Sequence, residues 1–358
     1  MISYGAGPQA DEVEVMLFGP GFGEAIAVHV GEQNWVLVDS CMDPESNNPA
    51  AHTYLQQIGV APDRIRAIIA SHWHDDHVRG LSSLVAFYKD AELHFSSVFS
   101  NKEAEAFLAA YNGNAAPKLT RGTQELYNAV KGRASSYAVH QRSNIVEIPL
   151  STHTVRVTAF SPTPAVVAGS MARFAGYMPS LMGSNSPIGH APEFRPNVEA
   201  VAIHVDCGDI ALLLGADLEE HPQRGWSAVC TDAWCASRRR ASAYKVAHHG
   251  SASGDVADIW QTLLEKKPTA FLTPFNNGNQ RLPTDSDRAR IKELSSAVVI
   301  TSGASRRPQM ESEKVKRLSD ICSGLTPINA GYGATRLRRR RNEAVWRIEL
   351  FGAAERIN

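Results

Sequence analysis

The sequence predicts an α/β protein built as one large domain, and three observations carry that expectation. Apolar runs of strand length recur in clusters from Glu12 to Phe351. Amphipathic segments of helix length fall between these runs rather than after them, the arrangement expected where helices cover sheets. No low-complexity linker and no solenoid-type repeat divides the chain. A length of 358 residues suggests about two domains at roughly 150 residues each. The motifs described below span most of the chain, however, so one domain over residues 1–358 is the better count. It carries an insertion at about 161–196 and a C-terminal extension at about 304–358.

Taken in order, Glu12 to Phe18 alternates acidic and apolar residues, as a half-buried strand does. Glycines 19, 21 and 23 then punctuate a turn, and AIAVHV and NWVLVDS supply two further strands, the second ending at Asp39. Residues 49–59 read as a short helix stopped by Gly59. RAIIASH is a buried strand that delivers the chain into a histidine-rich loop. GLSSLVAFY reads as a helix, AELHFSS as a strand, and KEAEAFLAAY and TQELYNAVKG as amphipathic helices. Residues 161–196, rich in Pro, Ser, Gly and Met, are either a substrate-binding lid or a surface excursion. VEAVAIHVDC and DIALLLGAD are strands around the turn CGD, followed by a helix in EEHPQRGWSAV and the strand SAYKVAHH. A helix near VADIWQTLLEK, the strand TAFLTPF, a helix in DSDRARIKELS and the strand AVVIT come next. The tail holds RLRRRR and a last apolar run, AVWRIELF.

Charge is balanced at 36 basic against 37 acidic residues, so no global field draws the protein to nucleic acid or a membrane surface. Five scattered cysteines (Cys41, Cys207, Cys230, Cys235, Cys322) read as reduced thiols of a cytoplasmic protein. No apolar run approaches the roughly 18 residues of a membrane helix, and the N-terminus lacks a signal-peptide layout. Of 13 histidines, five fall in two short segments.

The first segment is Ser71-His72-Trp73-His74-Asp75-Asp76-His77. Imidazole nitrogen and carboxylate oxygen are the donors that borderline metals such as zinc prefer. Alternate positions of extended chain point the same way, so His72 and His74 can converge on one ion, while Asp76 and His77 reach a second. Trp73 either stacks on a base or leaving group or packs under the loop. The second segment is His248-His249-Gly250-Ser251. Adjacent side chains diverge at a strand end, so one histidine closes a metal site and the other is free to donate a proton to the leaving group. Spacing does not assign the two roles. Gly250 suits close backbone approach to substrate, and Ser251 suits a helix cap.

H-x-H-x-D-H at His72, His74, Asp76 and His77 resembles the signature metal loop of the metallo-β-lactamase superfamily. Asp39 in VLVDS and Asp217 in LLLGADLEE resemble two further motifs of that superfamily. Within it, the chain is similar to the soluble hydrolase domain of ComEC-type DNA-uptake proteins. The similarity rests on Gly21-Phe22-Gly23-Glu24-Ala25, Asp39, residues 72–77, Gly215-Ala216-Asp217-Leu218-Glu219 and His248-His249-Gly250-Ser251. The resemblance implies a four-layered αββα sandwich. It also implies two divalent ions, Zn2+ or Mn2+, sharing Asp217 and a bridging hydroxide, with ligands from His72, His74, Asp76, His77, His248 and His249. Asp39 would orient a ligand histidine or the loop.

Two departures from the resemblance matter. The superfamily's additional ligand histidine has only His94, His140, His153 and His190 as candidates, none in the expected setting. Asn197 stands where the subgroup often has asparagine, so one ion is expected to hold fewer protein ligands. The second departure is Leu282-Pro283, where the subgroup usually has histidine before the proline. Arg238-Arg239-Arg240 and Arg338 to Arg341 are the dense basic runs, and the second either tracks a phosphate backbone or is a solvated tail. The resulting expectation is a soluble binuclear hydrolase of phosphodiesters, a nuclease on DNA or RNA, with Trp73, Asn197, Gly250 and Ser251 toward substrate. Gene neighbours could supply a protein partner. The alternatives are a small-molecule hydrolase of lactones, thioesters or phosphocholine esters, and a non-enzymatic scaffold, which the intact donor set argues against.

Overall fold

The computed structural model describes residues 2–19, 23–99, 121–131, 133, 135–172, 196–277, 280–303 and 331–357. Strands β1 (Glu12–Gly19), β2 (Ala25–Gly31), β3 (Asn34–Val38), β4 (Ile65–Ala70), β5 (Glu92–Ser96) and β6 (Ser136–Val139) enter the first sheet. Strands β7 (Asn144–Pro149), β8 (Thr154–Ala159), β9 (Ile203–Asp206), β10 (Ala211–Leu214), β11 (Ala241–Lys245) and β12 (Leu264–Leu272) enter the second. β13 (Phe275–Asn277) and β14 (Gln280–Leu282) form a separate hairpin. β15 (Ala297–Ile300) and β18 (Glu355–Arg356) complete the second sheet, and β16 (Gly333–Arg340) and β17 (Arg347–Gly352) complete the first. Among the described residues the first sheet runs β17-β16-β1-β2-β3-β4-β5-β6 and the second β18-β15-β12-β11-β10-β9-β8-β7.

Period-two alternation explains how the sheets stack. Along β1, Val13, Val15 and Leu17 enter a core shared with Val157, Val205, Leu212 and Phe271 of the second sheet. Met16 and Phe18, on the opposite face, pack with Tyr54 and Leu55 of the helix Ala50–Gln57 and with Leu84 of the helix Leu81–Phe87. The outer face of the second sheet contributes Leu213, Tyr244 and Leu272 to a third core with Trp226, Ile259 and Ile291. Helix, sheet, sheet and helix are therefore four layers around three apolar seams. This is the αββα sandwich.

Three elements differ from expectation. β1 is buried along its whole length, because it lies between β16 and β2 instead of at an edge. Glu14 is tolerated there by an ion pair to Arg338 and a hydrogen bond from the Tyr54 hydroxyl. The segment EEHPQRGWSAV becomes helical only from Trp226, since Pro222 and Gly225 interrupt it. The largest correction concerns the tail. β16 pairs with β1 over eight residues, and Arg336 and Arg338 are buried, so residues 333–356 are built into both sheets and are no solvated appendage. The lid reading of 161–196 and the helix KEAEAFLAAY fall largely outside the described residues, as do Gly21, Phe22 and His190. No helix among the described residues is long and apolar enough to cross a membrane.

Candidate metal centre

The carboxyl ends of the parallel strands β3, β4, β10, β11 and β12 converge at one edge of the sandwich, the position at which α/β sheets generally bind ligands. Asp39 follows β3, Ser71 and His72 follow β4, Asp217 follows β10, His249 follows β11 and Thr273 follows β12. The edge joins chemistry from both sheets.

Two donor groups share one carboxylate. Asp76, His77, Asp217 and His249 place ligand atoms within 4.8 Å of one another, and so do His72, His74 and Asp217. His77 Nε2 lies 3.4 Å from Asp217 Oδ1 and 3.8 Å from Asp76 Oδ2. His249 Nε2 lies 3.3 Å from Asp217 Oδ2 and 3.5 Å from Asp76 Oδ2. His72 Nε2 is 3.1 Å from His74 Nδ1.

The imidazoles are oriented from behind. Asp39 Oδ2 accepts the His77 Nδ1–H at 2.7 Å and the Ser71 hydroxyl at 2.7 Å, while Oδ1 accepts the Ser71 amide. Having given its proton to Asp39, Ser71 Oγ accepts the His72 Nδ1–H at 2.9 Å. One carboxylate thus turns the Nε2 lone pairs of two histidines toward the cluster, a common support for metal-ligating rings. Asp39 holds φ at +60°, a region that aspartate and asparagine enter more readily than most residues. His249 is oriented by an analogous chain. Its Nδ1–H donates to Thr273 at 3.1 Å, and the Thr273 hydroxyl donates to Glu24.

Electrostatics separates the rings. Burial, with the neighbouring rings, pushes the basicity of His72 and His74 down, so both are neutral donors near pH 7. At His77 and His249 burial also opposes the proton. The carboxylates of Asp217 and Asp76 outweigh it, raising His77 well above the ordinary value and His249 to about 9. Burial works against the ionised form of Asp217, but His249 and His77 hold its carboxyl well below the usual range.

These residues fit a divalent metal. His77 Nε2, His249 Nε2 and Asp217 Oδ1 are buried without a hydrogen bond. An unsatisfied buried polar atom costs roughly 1–3 kcal/mol, and cations placed among the donors relieve all three. Two imidazole-rich sets bridged by a carboxylate suit zinc or manganese. The groups offer four and three donors among the described residues, so one position has fewer protein ligands.

The structure separates residues that the sequence left together. His248 stands outside both donor groups: its Nδ1 lies 3.1 Å from Glu219 Oε1 and 3.1 Å from Ser253 Oγ, and its Nε2 lies 3.2 Å from Asn197 Nδ2. Two successive left-handed residues, His248 at φ +46° and His249 at +53°, aim the two rings apart. Of the two histidines between which spacing did not choose, His249 lies in a donor group and His248 does not, and Asn197 stands beside His248. Trp73 is 5% exposed and packs within the core under the helices. Gly250 has φ +81°, and a Cβ there would meet Ile291, Leu272 and Pro283. The position demands a left-handed backbone and leaves no room for a side chain. Ser251 caps no helix: its hydroxyl contacts Ser253, and the helix Ala257–Thr262 starts from Val256 without a side-chain cap.

The remaining histidine candidates are elsewhere. His94 pairs with Glu92, His140 contacts Ser143, and His153 contacts Thr152 and Arg341. The arginine runs also lie away from the centre. Arg238 to Arg240 precede β11, whereas the site follows it, and Arg338 to Arg340 pair with the first residues of β1, at the end opposite Gly19. Glu24, Thr273 and Lys245 were missed as site residues. The glycine-rich turn that contains Glu24 was the available signal for one of them.

Comparison with known proteins agrees with this picture. Residues 18–155 match the family described as Metallo-beta-lactamase superfamily, and the chain contains a domain of that superfamily. No curated protein matches the chain. Among solved structures, YhfI from Bacillus subtilis, a metallo-beta-lactamase fold protein, is 12% identical over 81% of this chain and 95% of its own, with a TM-score of 0.40. MEM-A1, a subclass B3 metallo-beta-lactamase from a soil metagenome library, is 16% identical over 69% and 80%, with a TM-score of 0.36. MIM-2 metallo-beta-lactamase is 20% identical with a TM-score of 0.31, and the match spans 55% of this chain and only 56% of that one. Scores this low carry no argument of their own.

Proposed function

We propose that this chain, with its metallo-β-lactamase superfamily domain, is a binuclear metallohydrolase that cleaves phosphodiester bonds. The observation that carries the reading is Asp217, a single buried carboxylate common to a four-donor and a three-donor group. His72, His74 and Asp217 would hold one ion, and Asp76, His77, His249 and Asp217 the other. Ions bound there would supply Lewis acidity and make hydroxide available near neutral pH, and a pair of them suits displacement at phosphorus.

The chain's own residues do the rest. Asp39 and Glu24, through Ser71 and Thr273, lock the ring orientations of His72, His77 and His249. His248 sits at the rim, its Nδ1 side held by Glu219 and Ser253. With Nδ1 toward the Glu219 carboxylate, its Nε2 accepts the Asn197 Nδ2–H, so the ring is held in a fixed orientation at the edge of the centre. The position of the arginine runs argues against a long backbone-tracking groove formed by them. The reading is therefore phosphodiester chemistry first, with DNA and RNA as polymeric substrates of that class.

The test is hydrolysis of bis-p-nitrophenyl phosphate, single- and double-stranded DNA, RNA and a lactone and thioester panel by protein loaded with manganese or zinc. Asp76→Ala and Asp217→Ala serve as controls. Phosphodiester turnover that both controls abolish is expected. Lactone or thioester turnover with phosphodiester silence overturns the substrate class in favour of a small-molecule hydrolase, and a protein that binds no metal overturns the enzyme reading.

A further inference from the structure

We infer that the buried ion pair between Glu24 and Lys245 is a clamp that holds the two halves of the metal centre in register. The inference rests on reading that centre as a metal site. It assigns Lys245 and Glu24 as positioning residues for Asp217 and His249.

The centre is split between the sheets. Asp39, His72, His74, Asp76 and His77 come from loops of the first sheet, and Asp217 and His249 from loops of the second. The apolar seam between the sheets is not directional, so it does not fix their edges to the few tenths of an ångström that ligation requires. Directional contacts do. Lys245, the last residue of β11, has no solvent exposure, and its Nζ lies 2.6 Å from Glu24 Oε1, just before β2 of the first sheet.

The pair then reaches into the centre, Glu24 into both halves and Lys245 into the half that carries Asp217. The Glu24 amide donates to Asp76 O at 2.7 Å, fixing the loop that carries Asp76 and His77. The second Glu24 oxygen receives the Thr273 hydroxyl, and Thr273 in turn accepts the His249 Nδ1–H. Lys245 Nζ donates to Ala216 O at 2.9 Å and stands 3.7 Å from Asp217 Oδ1. Ala216 is held at φ +45°, a left-handed conformation that is strained for a non-glycine residue. Its carbonyl is gripped from two sides, by Lys245 and by the His248 amide at 3.0 Å. The strained peptide immediately precedes Asp217, so the lysine fixes where the shared carboxylate points.

Stability alone does not call for the pair. A buried ion pair replaced by apolar residues of similar volume is often neutral or stabilising. A clamp, by contrast, is felt at the metal. That difference makes the experiment decisive.

The wild type, Lys245→Met, Glu24→Gln and the double variant Lys245→Met with Glu24→Leu are compared as full-length chains using Co2+ as the probe. Affinity is read by chelator competition, stoichiometry by bound cobalt and geometry by the visible absorption spectrum, with circular dichroism and thermal melting as folding controls. The expected result is a 10- to 100-fold loss of Co2+ affinity in each variant, about the scale known for supporting partners of metal ligands. An altered spectrum accompanies it, and the double variant remains as stable as the wild type. If Lys245→Met does not fold, the size-matched Glu24→Gln and the double variant decide. A folded double variant with wild-type affinity and spectrum overturns the clamp and leaves the metal site standing. A wild type that binds no cobalt overturns both.

Discussion

Asp39 and His77, 38 positions apart in the chain, share a fully buried hydrogen bond of 2.7 Å from Nδ1–H to carboxylate. It fixes the tautomer of His77 and presents Nε2 to Asp217 and Asp76. Asp39→Asn keeps the left-handed backbone but forces the new amide to satisfy donors from Ser71 and His77 with a single acceptor oxygen. Zinc affinity is expected to fall about 10- to 100-fold, read by competition with a fluorescent chelator. Unchanged affinity would show that the ring is oriented by other means.

The two adjacent histidines should part company under mutation. His249→Ala removes a donor from the four-residue group and is expected to lower bound metal by about one ion per chain. His248→Ala leaves metal content at the wild-type level while slowing turnover. Elemental analysis of the two purified variants, alongside rates on bis-p-nitrophenyl phosphate, checks both halves. Equal metal loss in the two would contradict the separation.

His29, remote from the centre, makes stability depend on pH. Its Nδ1–H donates to Glu12 O at 2.8 Å and its Nε2 accepts the Gln33 amide at 3.1 Å, so both nitrogens are satisfied only in the neutral ring. Burial pushes its pKa from 6.5 down to about 4. The unfolded chain therefore binds the proton more readily, and this stability is present above pH 6.5 and lost as pH falls toward 4. The loss is at most about 3 kcal/mol. Urea unfolding across that window should be steeper in pH for the wild type than for His29→Gln, and parallel slopes would refute the assignment.

Gly250 is a packing position. A Cβ there lies 2.9 Å from Ile291 Cδ1 and 3.0 Å from Leu272 Cδ1, on a backbone at φ +81°. Gly250→Ala is expected to cost about 1–3 kcal/mol through overpacking and left-handed strain. Chemical denaturation reads it, and a cost below about 0.5 kcal/mol, typical of an inert surface change, would count against it.

Legibility followed distance along the chain. The strands RAIIASH, AELHFSS and AVVIT, and the helix at 285–294, were readable because period and capping residues are local. Arg338 was not, because its partner Glu14 lies across a pairing of β16 with β1 that no local pattern encodes. Trp73 stayed open between stacking and packing because a sequence shows that a residue is aromatic but not which side of a loop is buried.

The sequence by itself determined the chemistry on offer: two histidines at alternate positions, an Asp-His pair one turn later, and an aspartate at the end of each of two apolar strands. Those choices are fixed by neighbours within a few residues. The sharing of Asp217 was implied by the resemblance; only the tertiary structure decided that His249 and not His248 joins the donor groups and that Glu24 meets Lys245 beneath. The physical reason is that these relations arise where the carboxyl ends of strands from two sheets meet. Stacking of the sheets, and left-handed residues at Asp39, Ala216, His248 and His249, set every one of those directions.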